Sequence, residues 1–258
     1  TIKHSLGLIK GKSDPMDAKR IREFGERFYD KLDFKVFDSD DIAELKSLYA
    51  LRSQLVKARK LIKTGNHSRT KAPMQSIAAN RITEASLSDL TANIKDIEQT
   101  IEMIIRQNPE LFANYVLLTS IVGIGPVIAT DMIIKTGNFQ VIDTARKAAS
   151  YAGVCPFPNA SGKMVGKSKT SPHADKQLKS LLYMGAKAAA KHNKEYRLYY
   201  QKKQMEGKPH YLIMNNISNK LLRVMYSIVK SREAFKKDYI CLDPREREKN
   251  NSSIKKVA

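Results

Sequence analysis

The chain has 258 residues, and its 46 Lys and Arg outnumber its 26 Asp and Glu by 20. An apolar fraction of 42% excludes a disordered chain and suits one large domain or two ordinary ones with a real core. The charge points to a polyanionic partner, nucleic acid before membrane, and two widely separated cysteines, Cys155 and Cys241, argue against a disulfide scaffold or a Cys-pair zinc site and fit a reducing compartment.

No signal peptide is visible, and the first residue is Thr1 rather than Met, so the chain is expected to be part of something longer. Residues 1 to 13 are basic and loop-like. Asp14 then suits a helix N-cap, Pro15 the first helical position and Asp17 the capping-box partner, predicting a short helix from Met16 to Phe24 that ends at Gly25. Asp14 and Asp17 also lie on one side of a helical turn, where two carboxylates can share a divalent ion. Capping alone explains both residues equally well.

A long helix is expected from Asp38 to Gly65, with a seam at Leu48, Leu51, Leu55, Ala58 and Ile62. Residues 66 to 82 are polar and read as a loop. A second long helix is expected from Ser86, with Asp89 as its capping-box partner, and Pro109 stops it. Its seam is Leu87, Leu90, Ile94, Ile97, Ile101 and Ile104, the 3-4 stepping of a heptad. The two helices predict an antiparallel coiled-coil hairpin. So narrow a seam also suits pairing with a second copy, which makes a homo-oligomer through the coiled coil the matching expectation.

No charge occurs from Leu111 to Thr130, a length that reaches across a bilayer, but Gly123-Ile124-Gly125-Pro126 breaks the stretch. Two buried helices joined by a tight turn is the better account, and no membrane is expected. The turn resembles a helix-hairpin-helix motif. Gly123 and Gly125 let the backbone turn, and let N–H groups of the next helix approach a DNA phosphate without reading sequence. A turn needed only for packing fits the same residues.

Further helices are expected at 111–121, 126–136, 143–152, 174–192, 194–206 and 210–231, with a Gly/Pro/Ser/Lys loop at 153–173. Charge is uneven. Residues 84–110 carry six acidic and two basic residues, whereas 160–210 carry twelve basic and three acidic. The second segment, with Lys163, Lys167, Lys169 and Lys176, is the expected polyanion site, with salt-dependent binding. Ser161, Ser168 and Ser171 all lie on this basic loop. A serine hydroxyl attacks a phosphodiester only when a base or metal activates it, and chemistry alone does not choose among the three. The helix with Tyr196, Arg197, Tyr199, Tyr200, Lys202 and Lys203 suits nucleic-acid stacking or a half-buried face. Residues from about Arg232 are charged and expected to be disordered.

Taken in order, these motifs resemble one family. Lys12-Ser13-Asp14-Pro15-Met16-Asp17-Ala18-Lys19, Ser120 to Ala129, Tyr151-Ala152-Gly153, Ser161-Gly162, and Leu178 to Ala190 with His192-Asn193 match the order found in bridge-RNA-guided insertion-sequence transposases, the DEDD serine recombinases. The resemblance runs from about residue 10 to about 232. It implies the end of a RuvC-like α/β domain at 1–37, a coiled-coil hairpin at 38–110, a helical transposase domain at 111–231, and a charged tail at 232–258. The fold class is thus mainly α, with a short RuvC-like remnant.

The resemblance implies Ser161 as the catalytic serine and Asp14 and Asp17 as the last two acids of a four-acid Mg²⁺ site. The first two acids would lie upstream of Thr1, so this chain by itself is expected to be inactive. The implied activity of the whole is DNA transposition through a serine–phosphodiester link, guided by a structured RNA, in a prokaryotic cytoplasm at the nucleoid. Two departures stand out. Ala174-Asp175 replaces a common Gly-Asn, and Lys163, Lys167 and Lys169 occupy a loop that is more Arg-rich in many members. A non-catalytic helix-hairpin-helix DNA-binding protein and a metal-only nuclease are the competing readings.

Overall fold

The computed structural model describes residues 14–31, 39–69, 71, 76–161 and 164–236, with the stretch 158–169 described chiefly by its backbone. The chain divides into two units, residues 1–38 and 39–258. The first is built on α1, Asp14–Phe28, followed by a 3-10 turn at Tyr29–Lys31. The helix runs through Gly25 instead of ending there, because that glycine has no left-handed backbone and nothing crowds it.

In the second unit, α2 (Asp40–Arg69) and α3 (Ile77–Gln107) form an antiparallel hairpin. Cross-links mark its length. Asn108 Nδ2 donates to Asp41 Oδ2 at 2.7 Å near the base, Arg52 Nε to Glu98 Oε1 at 2.8 Å in the middle, and Arg69 to Thr83 Oγ1 at 2.8 Å near the far end. The seam of α3 includes the expected Ile94, Ile101 and Ile104, all buried. In α2 the expected Leu48, Leu55, Ala58 and Ile62 are half-buried. Ile42, Leu45 and Tyr49 are buried, and Leu51 is 44% exposed.

Both helices are longer than the sequence predicts. α2 passes Gly65-Asn66, and α3 starts at Ser76, whose side chain caps Ala79 N at 3.3 Å. Ser86 lies inside α3, its hydroxyl returned to the Ile82 carbonyl at 2.9 Å.

The body follows: α4 (Pro109–Thr119), α5 (Pro126–Thr136), α6 (Ala145–Tyr151), a two-stranded antiparallel ribbon of β1 (Phe157–Ser161) and β2 (Met164–Lys169), then α7 (Lys176–His192), α8 (Lys194–Met205) and α9 (His210–Ser231). The ribbon replaces the loop expected at 153–173. Side-chain N-caps start four of these helices, at Asn108, Thr144, Asp175 and Asn193. Helix α9 is the central post, packing against α4, α6, α7 and α8. Its Ile213, Met214, Ile217, Leu221, Leu222, Met225 and Ile228 are all buried, a face set by 3- and 4-residue steps.

The chain after α9 folds back on the body. Arg232 donates to Asn114 Oδ1 at 2.9 Å, and Phe235 N to Ser120 Oγ at 3.0 Å. The disorder expected of the tail therefore does not hold at 232–236; residues 237–258 lie outside the described residues. Among the described residues no helix is long and apolar enough to cross a membrane.

Candidate functional site

The ribbon puts Ser161 beside its tip. Its register pairs Ser161 with Met164, Ala160 with Val165 and Asn159 with Gly166, then slips before Phe157 pairs with Lys169. Pro158 sits in the slip, where a residue without an N–H is tolerated. By register, Ser161 falls in one set with Asn159, Met164 and Gly166, and the slip brings Lys169, paired with Phe157, into that same set.

The base of the ribbon is fixed by the body. Val154 N donates to the Ala149 carbonyl at 3.0 Å, and Cys155 N to the same oxygen at 3.2 Å. Asn215 of α9 donates to the Val154 carbonyl at 2.9 Å. The outgoing and returning chains are joined directly, Asp175 N donating to the Tyr151 carbonyl at 2.8 Å. Gly153 has φ +65°, and a Cβ there would stand 2.5 Å from Ala174 Cβ. Thus the two ends of the excursion from 152 to 174 meet at one point of the helical body.

An ion cluster lies behind that point. Lys135 Nζ is 3.0 Å from Asp131 Oδ2 and 3.0 Å from Asp175 Oδ2, and Tyr151 donates its hydroxyl to Asp175 at 3.3 Å. Asp131 is fully buried. Its contact with Lys135 is close but not aligned as a hydrogen bond. Burial pushes the Asp131 carboxyl up, against the pull of Lys135. For Asp175 burial acts upward too, but the Leu178 N–H and Lys135 outweigh it and hold the carboxyl below its ordinary value. Tyr49 of α2 borders the cluster, its phenol driven far up by burial and then by the Asp131 charge. Hairpin, α5, α6 and the start of α7 therefore share one polar junction. None of its members was among the residues expected from sequence. The available signal was that Asp131 and Lys135 are the only charges between residues 111 and 142, spaced four apart on one helix.

The turn between α4 and α5 is governed by packing. Gly123 has φ +100°, and a Cβ on it would lie 2.5 Å from the Gly185 carbonyl oxygen of α7. A Cβ on Gly185 would in turn meet the Gly123 oxygen at 2.9 Å. The two backbones touch because neither residue has a side chain. Gly125 differs, since nothing lies within 4 Å of a Cβ placed there. It caps α5, whose first turn, with Pro126, Val127 and Thr130, lines a cavity of about 330 Å³ shared with Arg52, Lys95 and Glu98.

Of the other residues singled out from sequence, Lys176 is exposed at the first position of α7, and Lys163 lies outside the described residues. Asp14 and Asp17 occupy the first turn of α1, in the other unit. Asp17 Oδ1 is 3.1 Å from Arg20 Nη1. Among the described residues there is no group of three or more His, Cys, Asp or Glu placed to hold a metal.

Residues 115–201, from within α4 to within α8 and including the ribbon, match the family model described as Transposase IS116/IS110/IS902 family. The chain is similar to the "Pilin gene-inverting protein" of Moraxella bovis, 27% identical over 235 residues that make up 90% of this chain and 70% of that protein. It is also similar to the "Probable family 20 transposase" of Pseudomonas aeruginosa, 24% identical over 253 residues, 87% of this chain and 74% of that protein. A shorter stretch of 119 residues is 27% identical to the "Insertion element IS116 uncharacterized 44.8 kDa protein" of Streptomyces clavuligerus, covering 46% of this chain and 30% of that one. The relatives thus include a gene-inverting protein, a probable transposase and an insertion-element protein.

Proposed function

We propose that the chain is the serine-bearing part of a DNA transposase or recombinase, with Ser161 as its nucleophile. One observation carries this. Ser161 stands beside the tip of a ribbon whose base is locked to the body, inside the segment similar to transposases. A nucleophile on such an arm reaches a backbone phosphate that a helical surface does not.

In the proposed step the Ser161 Oγ lone pair forms an O–P bond to a DNA phosphate. The bond from phosphorus to one deoxyribose oxygen breaks, and that oxygen leaves with the electron pair and takes up a proton. The serine proton passes to a base or to water. Attack by a deoxyribose hydroxyl on the phosphoserine runs the step backwards and rejoins a strand. One phosphodiester is exchanged for another of similar energy, so no ATP is required. Lys163, Lys167, Lys169 and Lys176, with the turn at Gly123 and Gly125, would hold DNA by its phosphates, and a structured RNA would supply sequence by base pairing.

Asp14 and Asp17 fit a partial Mg²⁺ set, being two carboxylates one turn apart, although Asp17 would have to leave Arg20. Bound there, Mg²⁺ would supply positive charge to a phosphate oxygen. Self-association through the hairpin is supported by apolar residues exposed toward its far end, Leu61, Ile77 and Ile82. A non-catalytic DNA-binding role is the second reading, favoured by the Asp17–Arg20 pair, which occupies one proposed metal ligand.

The test is a protein–DNA adduct that survives denaturation, formed by the complete gene product with its flanking noncoding RNA, Mg²⁺ and a nicked DNA. The expected result is an adduct that Ser161→Ala abolishes while thermal stability and DNA binding stay unchanged. Binding without an adduct in the parent protein would favour the non-catalytic reading.

A further inference from the structure

Three helices of the body bring their aromatic rings together at a place distinct from the ribbon. His210, the first residue of α9, lies with Nε2 3.1 Å from the Tyr183 hydroxyl of α7 and Nδ1 2.9 Å from the Tyr200 hydroxyl of α8. A neutral imidazole satisfies both, donating from one nitrogen and accepting at the other. Next to it, the Tyr211 ring is stacked on that of Tyr183, with centroids 6.0 Å apart and planes inclined by 25°. His210 meets Tyr183, Tyr200 and Tyr211 edge-on. This is an ordered cluster, with Tyr183 backed by a neighbour and its hydroxyl fixed. Yet Tyr211 is 76% exposed, which leaves most of its ring open to solvent. Core packing does not explain a stacked ring at the surface.

The setting is cationic. Lys187 follows Tyr183 by one turn on the same side of α7, and Lys208 precedes His210 by two residues; both are exposed. From residue 176 to 212 nine basic residues face two acidic ones, and Glu206, one of those two, is held by Lys203 at 2.7 Å. An open aromatic face within positive charge suits a ligand with a flat π-system and a phosphate backbone. A base inside a duplex shows no face to stack on, so the ligand must be unpaired. The hydroxyls of Tyr183 and Tyr200 are both engaged with His210, so the ledge offers ring faces more than free groups for base edges or a 2′-hydroxyl.

We propose that Tyr211, backed by Tyr183, whose hydroxyl is fixed by His210, is a stacking site for an unpaired nucleotide of single-stranded DNA. The choice of DNA over RNA rests on the function proposed above, whereas the stacking site itself does not depend on Ser161. Strand breakage exposes such nucleotides, and a site for them would hold an opened strand on the body.

The chain has no tryptophan, so Tyr211→Trp provides a single fluorescent reporter on a residue exposed enough to tolerate it. The variant would be titrated with a twelve-nucleotide oligo-dT, an abasic strand of equal length and charge, oligo-U, and a blunt duplex. The expected result is strong quenching by oligo-dT and little by the abasic strand or the duplex. Tyr211→Ala, checked for an unchanged melting temperature, should bind oligo-dT about ten-fold more weakly with duplex binding unaltered. Equal quenching by the abasic strand, or unchanged oligo-dT affinity in Tyr211→Ala, would overturn the site. Quenching by oligo-U but not oligo-dT would overturn the assignment to DNA. Repeating the titration on Ser161→Ala separates the two proposals, since a failed adduct leaves the quenching intact and a failed quenching leaves the adduct intact.

Discussion

The turn at Gly123 and the ribbon that carries Ser161 are both glycine-containing reversals between helices, yet they are built on opposite terms. At Gly123 the reversal is pressed into the body. Its backbone touches that of Gly185, and Ile121 and Ile124 on either side are buried. At the ribbon the chain runs on two strands, and among the described residues its ties to the body are at the base, through Ala149, Tyr151, Val154 and Asp175. One turn is over-determined by packing, and the other is anchored where its two ends meet the body. A sequence motif with glycine therefore does not announce which kind of turn it makes. The difference lies in what stands opposite the glycine.

The sharpest way to break this contrast is at the ion cluster under the ribbon. Lys135→Met removes the cation paired with the buried Asp131 and should destabilise the body by about 3–5 kcal/mol, seen as a lower denaturant midpoint. The pH dependence gives a second signature. The Asp131 carboxyl is already held above its unfolded value, so the folded state binds its proton more tightly and gains stability as pH falls through the folded value. Without Lys135 that gain grows, and the deficit of the variant should shrink on acidification. A deficit independent of pH would show that Asp131 is not the unpaired charge.

A smaller effect is expected where the two glycines of the turn are compared. Gly123→Ala forces a Cβ at positive φ against the Gly185 carbonyl, and should lose about 2 kcal/mol or more. Gly125→Ala meets open space and gives up only the N-cap preference for glycine over alanine, so it should lose about 1 kcal/mol or less. Equal melting temperatures for the two variants would contradict the packing account of Gly123.

At the foot of the ribbon, Asp175→Ala removes the α7 cap and should lose about 1 kcal/mol. The folded carboxyl of Asp175 is depressed, so its contribution is full above the ordinary Asp value and fades as pH falls through the depressed one. The parent and the variant should therefore converge in acid. If they stay apart, the ionised carboxylate is not what holds the cap.

Much of the helical scaffold was legible in the residues. The seam of α3 and the ranges of α5 and α9 follow from apolar spacing that no other pattern disputes. The expected seam of α2 departs from the structure chiefly at Leu51, while Leu48, Leu55, Ala58 and Ile62 are half-buried. In place of Leu51 the series from Leu45 and Tyr49 continues at Arg52, a residue whose apolar stem serves in a seam as its charge pairs with Glu98. The start of α3 was missed because Ile77 and Ile82 do not continue the 3-4 stepping of the seam that begins at Leu87, and a capping box at Ser86 offered an equally good start.

The ribbon was hidden by Pro156, Pro158, Gly162 and Gly166, which break the alternation that identifies strands. Ser161 itself was legible only through resemblance, since three serines on that segment satisfy the same chemistry. The His210 cluster was invisible because its rings come from three helices.

The central claim is that Ser161 takes up DNA covalently, and mapping the adduct by mass tests it most directly. The adduct would be formed as above, digested with nuclease and trypsin, and sequenced by tandem mass spectrometry. Trypsin cuts after Lys147 and Lys163, so the peptide 148–163 isolates Ser161 from Ser168 and Ser171. The account predicts a nucleotide remnant on Ser161 and on no other residue. A remnant on a different side chain, or cleaved and rejoined DNA with every peptide unmodified, would contradict it.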